Sequence, residues 1–426
     1  MVTAGGINGH FSSVSGTNEP VVFSQDTTST TDVITVETII NQLNSTAAQN
    51  MAYLGIQSSI IAGEQLFDQM ENMLTGGTGG FNASSLNIID TPNADPFSTA
   101  LASAMQSVGR AAQASANTDS IAYLDRFDSH SPTSPSGPVP LPRSESANTI
   151  SGFAAGEITV ATDLPGSAPG QSGSFNTGGA VTGLGYNMAG HLVIGPLFSY
   201  HYAGSNLDNI GSRLRTSAYS PGLFAGLRKS HFHVEAFADY TYNAYHIDRN
   251  VTLPAGVATS SPNGDQFDVS SQLTYYFHVA RGLKLGPSAG LGFTNLTISG
   301  YTESGDGAGD MTISPISFDS LRGLLGGQLS YAWRPRHTAP PVTFTAHAYW
   351  QHEYLNLSRG VIAQPIGGSS FVTDTPAPDR DSALLGCGVS GDLARNITLF
   401  VDYQAQIGPG RELVNSAMAG VAIALR

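Results

Sequence analysis

Between residues 232 and 243 apolar and polar positions alternate almost without a break. Side chains on a strand point to opposite faces in turn. Phe232, Val234, Ala236, Ala238, Tyr240 and Tyr242 therefore share one face, and His233, Glu235, Asp239, Thr241 and Asn243 share the other. Phe237 is the one apolar residue on the polar side. A strand this long, apolar on one face and charged on the other, suits a wall between lipid and a water-filled lumen.

The same pattern recurs to the last residue. It predicts strands over 151–161, 175–188, 190–204, 212–228, 231–247, 265–281, 283–302, 316–334, 341–357, 380–393, 396–408 and 411–426, twelve in all. Phe267, Val269, Leu273, Tyr275, Phe277 and Val279 oppose Asp268, Ser270, Gln272, Thr274 and His278. Val342, Phe344, Ala346, Ala348 and Trp350 oppose Thr343, Thr345, His347, Tyr349 and Gln351. Ile397, Leu399, Val401, Tyr403 and Ala405 oppose Thr398, Asp402, Gln404 and Gln406. Connections alternate in length: Met188-Ala189-Gly190, Arg228-Lys229-Ser230, Ala280-Arg281-Gly282 and Ala394-Arg395 are short. The stretches 164–173, 251–264, 301–310 and 360–378 are long and rich in Gly, Ser, Thr and Pro. Short turns at one end and long loops at the other are the habit of bacterial outer-membrane barrels. Tyr200, Tyr202, Tyr242, Tyr331, Trp333, Trp350 and Tyr354 fall near strand ends, where interfacial girdles form. A soluble β-sandwich also alternates, but rarely sustains strands of twelve or more residues. The expected fold is all-β, a twelve-stranded antiparallel transmembrane β-barrel.

Composition agrees. Charged residues make up 12% of the 426-residue chain, against about 25% in ordinary soluble domains. No stretch approaches the roughly 20 apolar residues of a membrane-spanning helix, so a closed barrel is the membrane architecture left open. The net charge is −14, and thirteen acidic against three basic side chains place −10 of it in residues 1–149. That balance argues against nucleic acid as a partner. The single cysteine, Cys387, cannot form an intrachain disulfide and reads as a small wall residue.

The first 149 residues differ from the rest. Residues 1–35 carry short β-prone pieces such as Val21-Val22-Phe23, too few to bury a core of their own. They fit the last coil of a larger β-structure or a disordered tail. The opening residues contain neither a basic nor an apolar signal region. Since an outer-membrane protein must be exported, the chain is expected to be the C-terminal piece of something longer. Over 36–149 a helical and then Pro- and Ser-rich linker is expected. Val36, Ile40, Leu43, Ala47, Met51, Leu54 and Ile61 form a helical stripe. A second helical stretch over 96–125, opened by Asp95-Pro96 and rich in small residues, is slim enough to thread a pore. It fits equally a weak surface helix or a flexible linker. Residues 129–149 read as an extended linker.

No catalytic, cofactor or metal signature stands out: there is no G-x-S-x-G elbow, H-E-x-x-H pair, P-loop or zinc spacing. His231 and His233 are expected on the lumen face, with His347 and His352 pointing oppositely. Glu235, Asp239, Asp268, Glu353 and Asp402 are expected beside them, paired with Arg322 or Arg334. A polar lumen needs such residues without any chemical role.

In order, these features resemble the C-terminal translocator unit of an autotransporter, the type V secretion family. Residues 4–16 (Ala4-Gly5-Gly6-Ile7-Asn8-Gly9-His10-Phe11-Ser12-Ser13-Val14-Ser15-Gly16) look like the closing segment of a β-helical passenger. The Gly-rich run 178–186 leading to 191–200 is similar to the family's strand–turn–strand opening. The resemblance implies a passenger remnant over 1–35, the linker over 36–149 with 96–125 in the pore, and the barrel over 150–426. It implies a site in the bacterial outer membrane, with lipid, the chain's own passenger and the barrel assembly machinery as partners. It implies no enzyme activity, no cofactor and no nucleic acid. Family barrels end on an aromatic residue; here Ala419, Val421, Ile423 and Leu425 alternate correctly but the chain ends on Arg426, so Leu425 stands where the aromatic would. The Asn-Asn pair that some members use to release their passenger is absent, and no cleavage is expected there. The expected role is export and anchoring of an N-terminal passenger at the cell surface. The alternatives are an adhesive barrel binding partners through its long loops, and an outer-membrane hydrolase.

Overall fold

The computed structural model describes residues 149–162, 174–188, 191–206, 211–252, 255–334, 342–355, 359–375, 379–394, 397–409 and 413–425, with ten positions between Ala47 and Met70. Its strands are β1 (Thr149–Thr162), β2 (Ser174–Met188), β3 (Leu192–Asn206), β4 (Arg213–Lys229), β5 (Phe232–Thr252), β6 (Ala255–Ser260), β7 (Asn263–Tyr275), β8 (Phe277–Ala280) and β9 (Leu283–Ile298). They continue with β10 (Tyr301–Thr302), β11 (Met311–Ile313), β12 (Ile316–Trp333), β13 (Val342–Glu353), β14 (Gly360–Pro365), β15 (Phe371–Asp374), β16 (Asp381–Ala394), β17 (Ile397–Ile407) and β18 (Leu413–Leu425).

Twelve of these form a closed antiparallel wall, in the order β1-β2-β3-β4-β5-β7-β9-β12-β13-β16-β17-β18. The ring shuts where β18 pairs β1 from Leu425↔Ile150 to Leu413↔Thr162. β8 carries β7 onward past Tyr276 and stays on β9, so it adds no stave. Closure matters physically, because a wall facing lipid has no water to satisfy an unpaired strand edge. The twelve staves are those expected from the alternation, with ends shifted by a few residues.

Facing follows the pattern read from the sequence. Phe232, Val234, Tyr240 and Tyr242 are exposed on the outer face, while His233, Glu235, Asp239, Thr241 and Asn243 are buried inside. Cys387 lies exposed on the outer face. Tyr331, Trp333, Trp350 and Tyr354 are exposed near strand ends, as girdle residues should be. At the short-turn end, Ser230 and His231 alone join β4 to β5. Ser230 takes φ 58 there, the backbone sign that two-residue hairpins of the primed types need.

The long-loop end is more ordered than an irregular connection. β5 runs past the wall to pair β6, and β10, β11, β14 and β15 form a separate four-stranded sheet. Arg249 fastens this cap: its Nε donates to Glu303 Oε1 at 2.9 Å and its Nη2 to Glu303 Oε2 at 2.5 Å. Both side chains are buried, and Met311 N donates to Glu303 Oε2 as well. Burial pushes the nearby Tyr301 hydroxyl well above its ordinary pKa. Residues 1–35 and 96–125 lie outside the described residues.

Candidate functional site: the barrel lumen

The lumen is filled from the linker. Ala47, Ala48, Asn50, Met51, Ala52, Leu54 and Gly55 are helical, as are Leu66, Phe67 and Met70. Ala47, Ala48, Met51, Ala52 and Leu54 share one apolar cluster with Phe175, Ala203, Leu214, Tyr245 and Leu296. Those wall residues belong to the long-loop ends of their strands. The cap joins this cluster through Met311, Ile313, Val361 and Ala363. Leu66, Phe67 and Met70 pack instead with Phe153, Val193, Leu197, Phe224 and Phe237, near the short-turn ends. The segment therefore enters at the long-loop end and reaches the short-turn end as residue numbers rise. Ala47, Met51 and Leu54 belong to the helical stripe read from Val36 to Ile61, and Leu66, Phe67 and Met70 follow it; the stretch 96–125, whose small side chains would suit a pore, is not among the described residues.

Polar contacts also hold the segment. Asn50 Nδ2 donates to Ser205 Oγ at 3.2 Å, and Gln266 Nε2 donates to the Gly55 carbonyl at 3.0 Å. Gln266 also donates to Asp268 Oδ2 at 2.7 Å. Asp268 Oδ1 accepts from Thr294 Oγ1 at 2.6 Å, and Thr294 accepts from Arg322 Nη2 at 3.1 Å. Asp239 lies directly opposite Asp268 in the β5–β7 pairing. A second network crosses the lumen nearer the short turns: Gln272 and Gln328 both donate to Tyr349 Oη, and Tyr276 Oη donates to Gln328 Oε1. Buried polar groups must find such partners or pay the desolvation cost.

Several sequence expectations are met by this lining and some are not. Glu235, Asp239, Asp268 and Glu353 are buried in it. Glu353 accepts from Ser320 Oγ at 2.5 Å and from Leu321 N at 3.0 Å. Arg322 is buried among them, whereas Arg334 is exposed beyond the end of β12 and pairs with none. His233 is inside, packed edge-on against Tyr276. His231 is not: it sits exposed in the β4–β5 turn, stacked on Tyr275. Strand parity placed it in the lumen, but parity ends where the chain turns. His352 faces outward to Asp381 at 2.8 Å, opposite to His347. Among the described residues no cluster of His, Cys, Asp and Glu suits a metal ion.

Phe237 and Phe400 break the alternation by putting rings inside. The structure supplies the reason for each. Phe237 lies 5.8 Å from Phe67 of the lumen segment, centroid to centroid, so it is a seat for that segment. Phe400 lies over Gly420 of the neighbouring strand, where a Cβ would meet its ring at 2.3 Å. Ala419, Val421, Ile423 and Leu425 stand in register with Gly156, Ala154, Gly152 and Ile150 of β1, so they share the seam that closes the barrel.

The chain is thus a closed twelve-stranded barrel whose lumen holds a segment from its own N-terminal side. A family model described as the autotransporter beta-domain matches residues 161–404, and the chain belongs to that family. It is an outer-membrane translocator barrel that exports a passenger. The family is one of translocators and not a known family of enzymes. The translocator domain of the autotransporter NalP from Neisseria meningitidis is similar in fold, at 15% identity and a TM-score of 0.53, covering 76% of this chain and 96% of that one. The β-domain of the Bordetella autotransporter BrkA aligns at 14% identity and a TM-score of 0.49, over 65% of this chain and 100% of that one. A search of curated proteins gives no match.

Proposed function

We propose that the lumen segment is the retained tail of the exported chain, and that the passenger it carries emerges at the long-loop end. The observation that supports this is polarity: Asn50 contacts Ser205 near the long loops, while Phe67 contacts Phe237 near the short turns. A chain running this way presents everything before residue 47 to the outside. Residues 1–35 are then the close of the passenger, and the outer face of the wall meets outer-membrane lipid. The mechanism is mechanical: strand pairing closes the wall, the passenger passes through, and the segment stays behind to fill the pore. An epitope tag at the N-terminus of the expressed chain should be reached by antibody on intact cells. A tag that stays protected while the barrel is folded would refute the reading.

Insertion depends, in this reading, on recognition of the alternate residues Ala419, Val421, Ile423 and Leu425 of β18 by the barrel assembly machinery. Their position on the closing strand supports it, since the last strand must be presented before the seam can shut. Ile423→Asp should lower the folded fraction in the outer membrane; undiminished assembly would remove these residues from the proposal.

An adhesive role for the cap is the second reading. It is favoured by Ile362, Ile366 and Val372, all exposed on the cap's hairpin of β14 and β15. Deleting residues 360–374 should then abolish cell adhesion while leaving passenger export intact.

A further inference from the structure

The chain has two lysines, Lys229 and Lys284, and both stand at the short-turn end of the barrel. That is the periplasmic end of an outer-membrane barrel. From β4 round to β12, the exposed residues of this rim include Lys229, His231, His278, Arg281 and Arg334. No Asp or Glu occurs in 222–234, 273–292 or 326–334, the described stretches that build it. In a chain of net charge −14, an arc of five adjoining strands without a carboxylate at one end is a concentrated positive surface. At about 4.8 Å between strands, the arc is roughly 20 Å across.

Its position names its partner. Lys229 pairs in register with Phe232, which is 49% exposed on the outer face. His231 stacks on Tyr275, with centroids 5.6 Å apart, and Tyr275 lies against the exposed Phe277. Ala332 N donates to Gly282 O at 2.7 Å, which brings the Arg281 turn to the end of the strand that carries Trp333 and Arg334. Aromatic residues of a barrel girdle lie at headgroup level. Cations placed just beyond them, on the periplasmic side, lie at the depth of the lipid phosphates. Lys284 does not join them, because its Nζ turns to the Tyr276 ring at 5.7 Å on the lumen side.

We propose that this rim binds the phosphate groups of anionic phospholipids in the inner leaflet of the outer membrane. The apolar wall takes the acyl chains and the exposed cations take the headgroup. The inference goes beyond passenger export and does not depend on what is exported.

The test is lipid selectivity of the whole folded chain in vesicles of equal parts phosphatidylglycerol and phosphatidylcholine. Spin-labelled lipids would report the fraction held at the protein surface. Phosphatidylglycerol should be preferred, and the preference should fall as salt is raised. The triple variant Lys229→Gln, Arg281→Gln, Arg334→Gln removes three charges, each changing lipid affinity about five-fold. Its preference should fall close to one, with heat-modifiable gel mobility unchanged. Arg213→Gln with Arg215→Gln, at the opposite end of β4, should retain the preference. Equal retention of both lipids by the unaltered chain would overturn the proposal and leave the rim to another occupant, such as the acidic 71–148 stretch of this chain. A preference that survives the triple variant, or is insensitive to salt, would overturn it too.

Discussion

Glu157 on β1 and His201 on β3 lie 3.2 Å apart inside the barrel, although β2 runs between them. The residue of β2 opposite both is Gly179, and a Cβ there would come within 2.2 Å of the His201 ring. The contact therefore exists because the intervening strand has no side chain at that position. Overpacking a filled site costs about 1–3 kcal/mol, so Gly179→Val should lower the urea midpoint for loss of the folded band. Gly204→Ala, where an added Cβ meets nothing within 4 Å, should leave that midpoint in place.

Phe67 is expected to hold the lumen segment at the short-turn end. Truncating a buried Phe to Ala costs about 3–5 kcal/mol where the site cannot collapse. Phe67→Ala should loosen the segment against Phe153, Phe224 and Phe237 without opening the wall. In planar bilayers the variant should show larger and more frequent conductance steps than the unaltered chain, with equal heat-modifiable mobility. Identical conductance would mean that the segment does not gate the pore.

Glu303 should be the fastening of the cap. Removing one partner of a buried ion pair leaves an uncompensated charge, at a cost of about 3–5 kcal/mol. In Glu303→Ala the Arg249 guanidinium keeps only the Gly309 carbonyl of its three hydrogen bonds to the 299–315 connection. That connection should then become open to protease added to intact cells, while the wall remains resistant. A replacement of the pair by Met at 249 and Leu at 303 should restore part of the protection, because apolar residues of similar volume substitute well for buried pairs.

Leu223, 61% exposed on the outer face of β4, should meet lipid near mid-membrane. Leu223→Arg is expected to cost about 2–4 kcal/mol, measured as a lower refolding yield into vesicles. A change of that kind with no effect on yield would place this face away from lipid.

How much of this was legible in the sequence depends on how local the signal was. Alternation along β5, β7 and β17 marked the outer and inner faces, because strand geometry gives each residue's side without reference to partners. The short and long connections marked the two ends of the barrel. His231 was misplaced because parity was carried one step before Phe232, the first residue of β5. Arg334 was misplaced likewise, beyond the end of β12. The cap sheet was missed since β10 and β11 are two and three residues long, and the pairing of β11 with β14 spans about fifty residues of chain.

The lumen segment shows the same division. The stripe through Ala47, Met51 and Leu54 announced a helix with one apolar face, but a stripe does not say what it packs against. Small side chains over 96–125 were an argument about fit, and fit depends on a cavity that only the closed wall creates. Phe237 was an exception along its strand until Phe67 stood beside it, and the inward turn of Phe400 over Gly420 shows only in the structure. By itself, then, the sequence determined twelve two-faced strands and the order of their turns, because both follow from covalent spacing. The tertiary structure decided the closure of β18 on β1, the occupant of the lumen and the contacts made across bare glycines. Those depend on residues far apart in the chain meeting in space, and no local period records such meetings.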